Sequence, residues 1–371
     1  MHNTPEEDKR TEGLVSVINK LLLVIVVLVI SIVAIPFILF YTNQPGRPEE
    51  QKQQPGASSA SEPVKTDAAI YWTAPEINTI TDNKQKELVE YGKELITHTA
   101  KYLGPNGSVM KMSNGMNCQN CHLQSGTAVF GNNYGSVASL YPKFRARSGG
   151  VEDIYKRVND CFERSLNGRA LSKKSREMQA IVSYISFVGS NVEKGKKAEG
   201  SGFKELAWLD RAADPAKGLT VYTTKCQSCH QANGEGVLAA DKTEYTYPAL
   251  WGNNSFNDGA GLFRISNFAK YIKYNMPLGV THQNPQLMDE ETWDVAAFVI
   301  SQNRPHINTP KDWPDVSKKP VDHPFGPYAD TFTEKQHKYG PFKPIVDEQK
   351  RLEAAPGVLR TKQKASTIVK N

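Results

Sequence analysis

Cysteine is scarce in this sequence, with five residues in 371. A small disulfide-stapled scaffold would be far shorter and richer in Cys, so that class is excluded. Charge of one sign is also lacking. Lys and Arg number 45 against 39 Asp and Glu, and the net +6 is too small and too dispersed to argue for nucleic acid. A long apolar run occurs once, in LLLVIVVLVISIVAIPFILFY from Leu21 to Tyr41. It carries no charge and matches the ~20 apolar residues that span a bilayer core. A signal peptide has a shorter apolar region, of about 7–15 residues, and a small-x-small cleavage site, whereas YTNQPGRP follows here. Residues 21–41 are therefore predicted to be a transmembrane anchor. Lys9, Arg10 and Lys20 precede it, so the positive-inside tendency leaves residues 1–20 in the cytoplasm and the rest of the chain outside.

At 371 residues the chain has room for two or three domains. Residues 42–69, rich in Pro, Gln, Ser and Glu, read as a flexible tether. A helical pattern begins at Ile70. Asp82 can cap a helix on which Leu88, Tyr91, Leu95, Ile96 and Tyr102 recur at helical spacing. NCQNCH, Asn117 to His122, comes next. A Gly/Asn/Ser/Pro-rich loop is expected over 126–150, then a helix over 152–167. A closing helix starts at Ser175, with Met178, Ile181, Val182, Ile185 and Val188 on one stripe.

The same order then repeats. DPAKGLTVYTTK from Asp214 leads into KCQSCH, Lys225 to His230; GLFRISNFAKYIKYNMP supplies a middle helix. DEETWDVAAFVISQN supplies a closing helix with Trp293, Ala296, Ala297 and Ile300 on one face. GKKAEGSGFKE, Gly195 to Glu205, reads as the joint. Residues 306–371 are rich in Pro, Gly and aromatic residues without periodicity and read as an extended arm over both domains, with RTKQKASTIVK near the end disordered.

C-x-x-C-H is the attachment sequence of haem c. The pairs Cys118/Cys121 and Cys226/Cys229 would form the thioethers, and His122 and His230 the proximal iron ligands. A single Cys₄ zinc site built from both pairs would explain neither trailing His nor the repeated helices. Helix, C-x-x-C-H, loop, distal-ligand helix and closing helix is the order of a class I cytochrome c domain. The expected fold is mainly α, with two such domains in tandem over 70–200 and 201–305 and two covalent haems c. Haem c is attached outside the bacterial inner membrane, which places the domains in the periplasm behind the anchor.

Haem iron accepts Met, His, Cys or Tyr as its sixth ligand. In the second unit YNMPLG places Met276 at a helix end before a Pro, with Met288 as its rival. The first unit has no such segment, and Met178 lies on an apolar helix face. In its place stands Cys161, in NDCFERSLNGRAL. Arg157, Cys161 and Ser165 lie four residues apart and share one helix stripe, with Arg164 close beside it. A free Cys on an apolar face is usually a small buried hydrophobe, but a packing face has no use for a guanidinium and a hydroxyl. A cation beside Cys favours thiolate, the metal-binding form. The residues therefore point to His122/Cys161 ligation of haem 1 and His230/Met276 ligation of haem 2. Thiolate should lower the potential of haem 1 and thioether raise that of haem 2, directing electrons from 1 to 2. Arg145, Arg147, Arg157, Arg164 and Arg169 cluster around Cys161 in sequence, and fixed guanidinium forks suit oxyanions. A small sulfur oxyanion fits both the arginines and the thiolate.

CQNCH, FRARSG, RVNDCFERSLNGRAL, CQSCH, NMPLG and GPYADTFTEKQHKYGPF together resemble the dihaem thiosulfate dehydrogenases, which also run as tetrathionate reductases. The resemblance covers roughly residues 70–345. It implies oxidative joining of two thiosulfates to tetrathionate, or the reverse, with Cys161 as distal ligand and catalytic sulfur and with Arg147, Arg157 and Ser165 lining the substrate pocket. A cytochrome or membrane electron carrier would be the redox partner. Some relatives carry Lys directly before the distal Met; Asn275 stands here, so a stable His/Met haem is expected. Three other readings compete: a two-haem electron carrier, a dihaem peroxidase, and another cysteine-ligated cytochrome acting on a different sulfur substrate.

Overall fold

The structure, a computed structural model, describes residues 20–26 and 70–354. Residues 20–26 are helical and exposed. The rest of the apolar run (27–41), the tether (42–69) and the C-terminal basic stretch (355–371) lie outside the described residues. Among the described residues no helix is long and apolar enough to cross a membrane.

The described residues from 70 to 354 belong to one compact unit, and it is mainly helical. Helix α1, Asn83–Thr97, starts at Asp82, whose carboxylate accepts from Gln85 N at 2.7 Å. A hairpin of β1, Lys143–Arg145, and β2, Gly150–Glu152, follows the first C-x-x-C-H segment. The expected structureless loop over 126–150 is thus partly a hairpin, because Arg145 and Gly150 pair across the turn. Helix α2, Ile154–Asp160, starts at Asp153, which accepts from Lys156 N. It continues as a π turn over Cys161–Ser165, where an unbroken α-helix was expected. Helix α3, Arg176–Val188, is capped by Ser175 and buries Met178, Ile181, Val182, Ile185 and Val188. Each such side chain contributes roughly 1.5–3 kcal/mol.

The second half opens with α4, Pro215–Lys225, where Asp214 accepts from Ala216 N. A short hairpin of β3, Val237–Leu238, and β4, Tyr245–Tyr247, leads to α5, Ile265–Asn275, and α6, Asp289–Ser301. The two halves share a helix crossing. In the first, Gly92 of α1 lies so close to α3 that an added Cβ would be 2.0 Å from Ala180 O; in the second, Gly218 of α4 lies so close to α6 that it would be 1.9 Å from Asp294 O. Only glycine allows either approach.

Two hydrophobic cores result, one around α1, α2 and α3, the other around α4, α5 and α6. The expected extended arm is only partly extended. Its described part contains two helices, α7, Glu334–Tyr339, and α8, Lys343–Ala354, and it inserts Phe342 and Ile345 into the second core. The stretch read as a joint is fastened to the first half, since Phe130 N donates to Gly200 O and Asn132 N to Gly202 O.

Polar contacts lock the halves together. Buried Asn257 donates through Nδ2 to Glu163 O at 2.8 Å and through its backbone N to Arg164 O at 3.1 Å, and Asn114 donates to Ser255 O. Tyr271 donates to Asn120 O at 2.6 Å, within the first C-x-x-C-H segment. The second half therefore satisfies carbonyls of the π turn that carries Cys161.

Candidate active site

A cavity adjoins each C-x-x-C-H segment. The first encloses about 980 Å³ of space, counting the open solvent at its mouth. Cys118, Cys121 and His122 line it together with Arg157, Cys161 and Ser165. Ile96, Phe162, Ile181 and Ile185 provide apolar wall. His122 Nδ1 lies 2.6 Å from Asn132 O. A carbonyl only accepts, so Nδ1 carries the proton and Nε2 keeps a free lone pair, as a metal ligand requires. Burial pushes His122 down to about 4 and the Cys118 and Cys121 thiols up to about 12. All three groups are neutral at pH 7, and no cysteine of the chain is in a disulfide.

The second cavity, of about 1560 Å³, is lined by Cys226, Cys229, His230 and Met276. His230 repeats the arrangement of His122: Nδ1 donates to Pro248 O at 2.9 Å, and burial lowers its pKa. Met276 ends α5 in an extended conformation that brings its side chain to the cavity wall. Its sequence rival Met288 is 63% exposed at the start of α6 and does not line the cavity. Asn275 is buried and donates back to Tyr271 O at 3.1 Å, which closes the helix end before Met276. Met116, Asn117 and Cys121 line both cavities, so the two sites share a wall.

On the distal side of the first cavity, Arg157 Nη1 donates to Cys161 Sγ at 3.2 Å. The sulfur raises the arginine's pKa and outweighs the opposing cost of burial. The π turn starts at Cys161 itself, and such turns recur at functional sites because they re-aim a side chain off the regular helix. Ser165 remains on the same cavity wall.

The arginines divide. Arg147 lies outside this cavity, in a neighbouring cleft that the C-terminal arm helps to build, with its guanidinium 5.8 Å from the Trp313 ring. It stays in the electrostatic range of Arg157, and burial beside Arg164 and Arg157 lowers it to about 10. Arg164 faces away from the haem cavity and pairs with Asp312 at 3.0 Å. Arg169 donates to Lys111 O, and Arg145 sits 4.0 Å from Glu152. Neither lines the cavity. Asp312, Trp313 and Asn257, which hold these groups, had no periodicity to mark them in the sequence.

Residues 108–193 match the family model for the SoxA/TsdA cytochrome c domain, and residues 215–303 match that for cytochrome c. The thiosulfate dehydrogenase of Psychrobacter arcticus is 39% identical over 65% of this chain and 71% of its own length. The chain belongs to the thiosulfate dehydrogenase family. The thiosulfate dehydrogenase of Allochromatium vinosum is 36% identical over 64% of this chain and 86% of its own. A solved structure, thiosulfate dehydrogenase (TsdBA) from Marichromatium purpuratum in its "as isolated" form, aligns with a TM-score of 0.59 and 28% identity. That alignment covers 64% of this chain and half of the solved one.

Both matched segments contain a C-x-x-C-H motif. Two cytochrome c domains with these cysteine pairs bind two covalent haems c. The residues present fit the group: a pair of cysteines and an oriented imidazole on an apolar cavity wall, with a further sulfur, Cys161 or Met276, on the same wall in each case.

Proposed function

We infer that the chain is a dihaem thiosulfate dehydrogenase, joining two thiosulfates into tetrathionate at Cys161 and able to run in reverse as a tetrathionate reductase. The observation that carries this reading is the 3.2 Å hydrogen bond from Arg157 to the Cys161 sulfur on the wall of the first haem cavity. A plain electron carrier has no need of a charged donor on its distal sulfur.

When bound, the haems supply the acceptors for two electrons. Cys118/Cys121 would hold haem 1 covalently, with His122 and Cys161 as its ligands; Cys226/Cys229, His230 and Met276 would do the same for haem 2. The chain's own work is to bind, charge-balance and join. Arg157 stabilises negative charge on the Cys161 sulfur. The sulfur forms an S–S bond to the terminal sulfur of thiosulfate, giving Cys–S–S–SO₃⁻ as two electrons leave. A second thiosulfate attacks the sulfur attached to SO₃; the Cys161 bond breaks, thiolate returns and tetrathionate departs. No proton is consumed. Bringing two dianions to ~4 Å costs about 4 kcal/mol in bulk water, four unit-charge products of about 1 kcal/mol each, and more in a desolvated cavity. Arg157 and Arg147 offset that repulsion, and the Ser165 hydroxyl can donate to a sulfonate oxygen.

The shared wall of the two cavities supports electron passage from haem 1 to haem 2, and Met276 suits haem 2 to the exit role by raising its potential. From there electrons pass to a cytochrome or membrane carrier. The uncharged run at 21–41 supports anchoring in the inner membrane, with the remainder as a periplasmic unit of two domains, 70–200 and 201–305, and the arm from 306. Mixing the oxidised holoprotein with thiosulfate tests the reading. The visible haem bands should reduce and tetrathionate should accumulate; reduction that persists undiminished in Cys161→Gly would refute the role of Cys161.

A further inference from the structure

Next to the haem 1 cavity lies a cleft of about 1490 Å³ between the β1–β2 hairpin, the segment before α5 and the C-terminal arm. Its charges do not balance locally. Asp258 is engaged by His306 Nδ1 at 2.6 Å and by Ile307 N; Asp312 is engaged by Arg164; Arg264 is engaged by Asp322. Two cations on the cleft wall have no carboxylate in ion-pair range. Arg147 meets only the Trp313 ring. Lys319 is 8% exposed, and its ammonium donates to Phe325 O at 2.9 Å and Pro327 O at 3.0 Å. The ammonium also lies 5.5 Å from the Tyr328 ring, with Asp312 and Glu334 near enough to act on it but not in ion-pair contact, so an anion entering the cleft would give Arg147 and Lys319 the direct partner both lack.

The wall between them is held in place. Trp313 Nε1 donates to His323 Nε2 at 3.0 Å, so His323 carries its proton on Nδ1 and is neutral there. Trp313 N donates to Arg147 O at 2.7 Å, and Trp313 takes a left-handed backbone, φ 56°, that a bulky residue adopts only under constraint. Positive charge gathers around His323 and Arg147: on top of burial, Lys319, Arg264 and Arg147 disfavour protonation of His323, and burial together with Arg164 and Arg157 drives Arg147 down to about 10. Arg157, which touches Cys161 in the neighbouring cavity, is near enough to Arg147 to act on it electrostatically.

We propose that this cleft is an anion subsite, formed by Arg147 and the arm residue Lys319, that receives the second thiosulfate and holds the outer sulfonate of tetrathionate. The inference rests on the thiosulfate reading above and adds the arm to the binding machinery. Lys319 contacts the distal oxyanion, whereas Trp313 and His323 position Arg147.

The test uses the full-length holoprotein, its Lys319→Gln variant and the charge-preserving Lys319→Arg. Thiosulfate saturation of tetrathionate formation is measured together with the rise in Tm given by sulfate, an unreactive dianion, over sodium chloride of equal ionic strength. Lys319→Gln should raise the KM for thiosulfate about tenfold, the loss expected from one charged contact, with kcat little changed. It should also lose most of the sulfate-specific rise in Tm, and Lys319→Arg should restore both. An unchanged KM and sulfate response in Lys319→Gln would overturn the proposal. So would a fall in kcat or in basal Tm with the sulfate response intact, which would mark Lys319 as a structural residue of the arm. If the parent makes no tetrathionate yet shows a sulfate response that depends on Lys319, the subsite stands and the assigned reaction fails.

Discussion

The two haem units are built on one plan and differ where it matters. In both, a glycine lets the first helix press on the closing helix, Gly92 against Ala180 and Gly218 against Asp294. In both, the proximal histidine donates Nδ1–H to a backbone carbonyl, Asn132 or Pro248. The distal sides diverge. The second unit ends α5 at Met276, an uncharged thioether set in apolar surroundings. The first replaces that ending with a π turn, a cysteine and a guanidinium in contact with its sulfur. A shared scaffold thus presents to its cavity either a thiol in contact with a guanidinium or an uncharged thioether, and on the proposed reading the first is the reactive sulfur and the second the inert one.

The comparison can be broken at the reactive end first. Cys161→Gly should lower thiosulfate oxidation by roughly 10³-fold or more, the scale on which loss of a covalent nucleophile acts, while the pyridine haemochrome spectrum still reports two haems. Met276→Ala attacks the inert end: Cys161 chemistry survives, but the haem 2 potential should fall by roughly tenths of a volt and electron exit should slow, as redox titration and stopped-flow reduction would show. If Met276→Ala instead abolished the first reduction step, the division of labour would be wrong.

Smaller effects sharpen the structural side. Gly92→Ala and Gly218→Ala should each cost at least about 1–3 kcal/mol of stability by overpacking against a backbone carbonyl, and equal losses in Tm would confirm that the crossings are equivalent. Asn257→Ala leaves Glu163 O without its donor at a buried interface, for about 1–3 kcal/mol; because that carbonyl belongs to the π turn, KM or kcat should shift as well as Tm. The smallest effect is on pH. Burial lowers the Lys319 ammonium from its ordinary value to about 8, against the pull of Asp312 and Glu334. Its charge is present below pH 8 and lost above. Neighbouring His323 is held down to about 4 and stays neutral throughout, while Arg147, lowered to about 10, keeps its charge through pH 9. The KM for thiosulfate should therefore rise between pH 7 and pH 9 in the parent and stay flat in Lys319→Gln.

Much of this was legible in the chain. Two C-x-x-C-H segments, repeated helical stripes, capping residues Asp82, Ser175 and Asp214, and the four-residue spacing of Arg157, Cys161 and Ser165 are local patterns, and helix periodicity turns local order into a face. They determine the domain type, the covalent haems and the pairing of a guanidinium with the lone thiol, and they mark His122 and His230 as the imidazoles beside the two cavities. The arrangement of the arginines was not legible. Arg145, Arg147, Arg157, Arg164 and Arg169 look alike in sequence, yet one touches the sulfur, one faces a second cleft, one is neutralised by Asp312 and two serve the surface around them. Asp312, Trp313 and Lys319 come from an aperiodic arm more than a hundred residues downstream, and Asn257 from the other haem unit. Charge balance and cavity walls are set by which groups meet across such distances, and that is decided only when the two units and the arm close on one another.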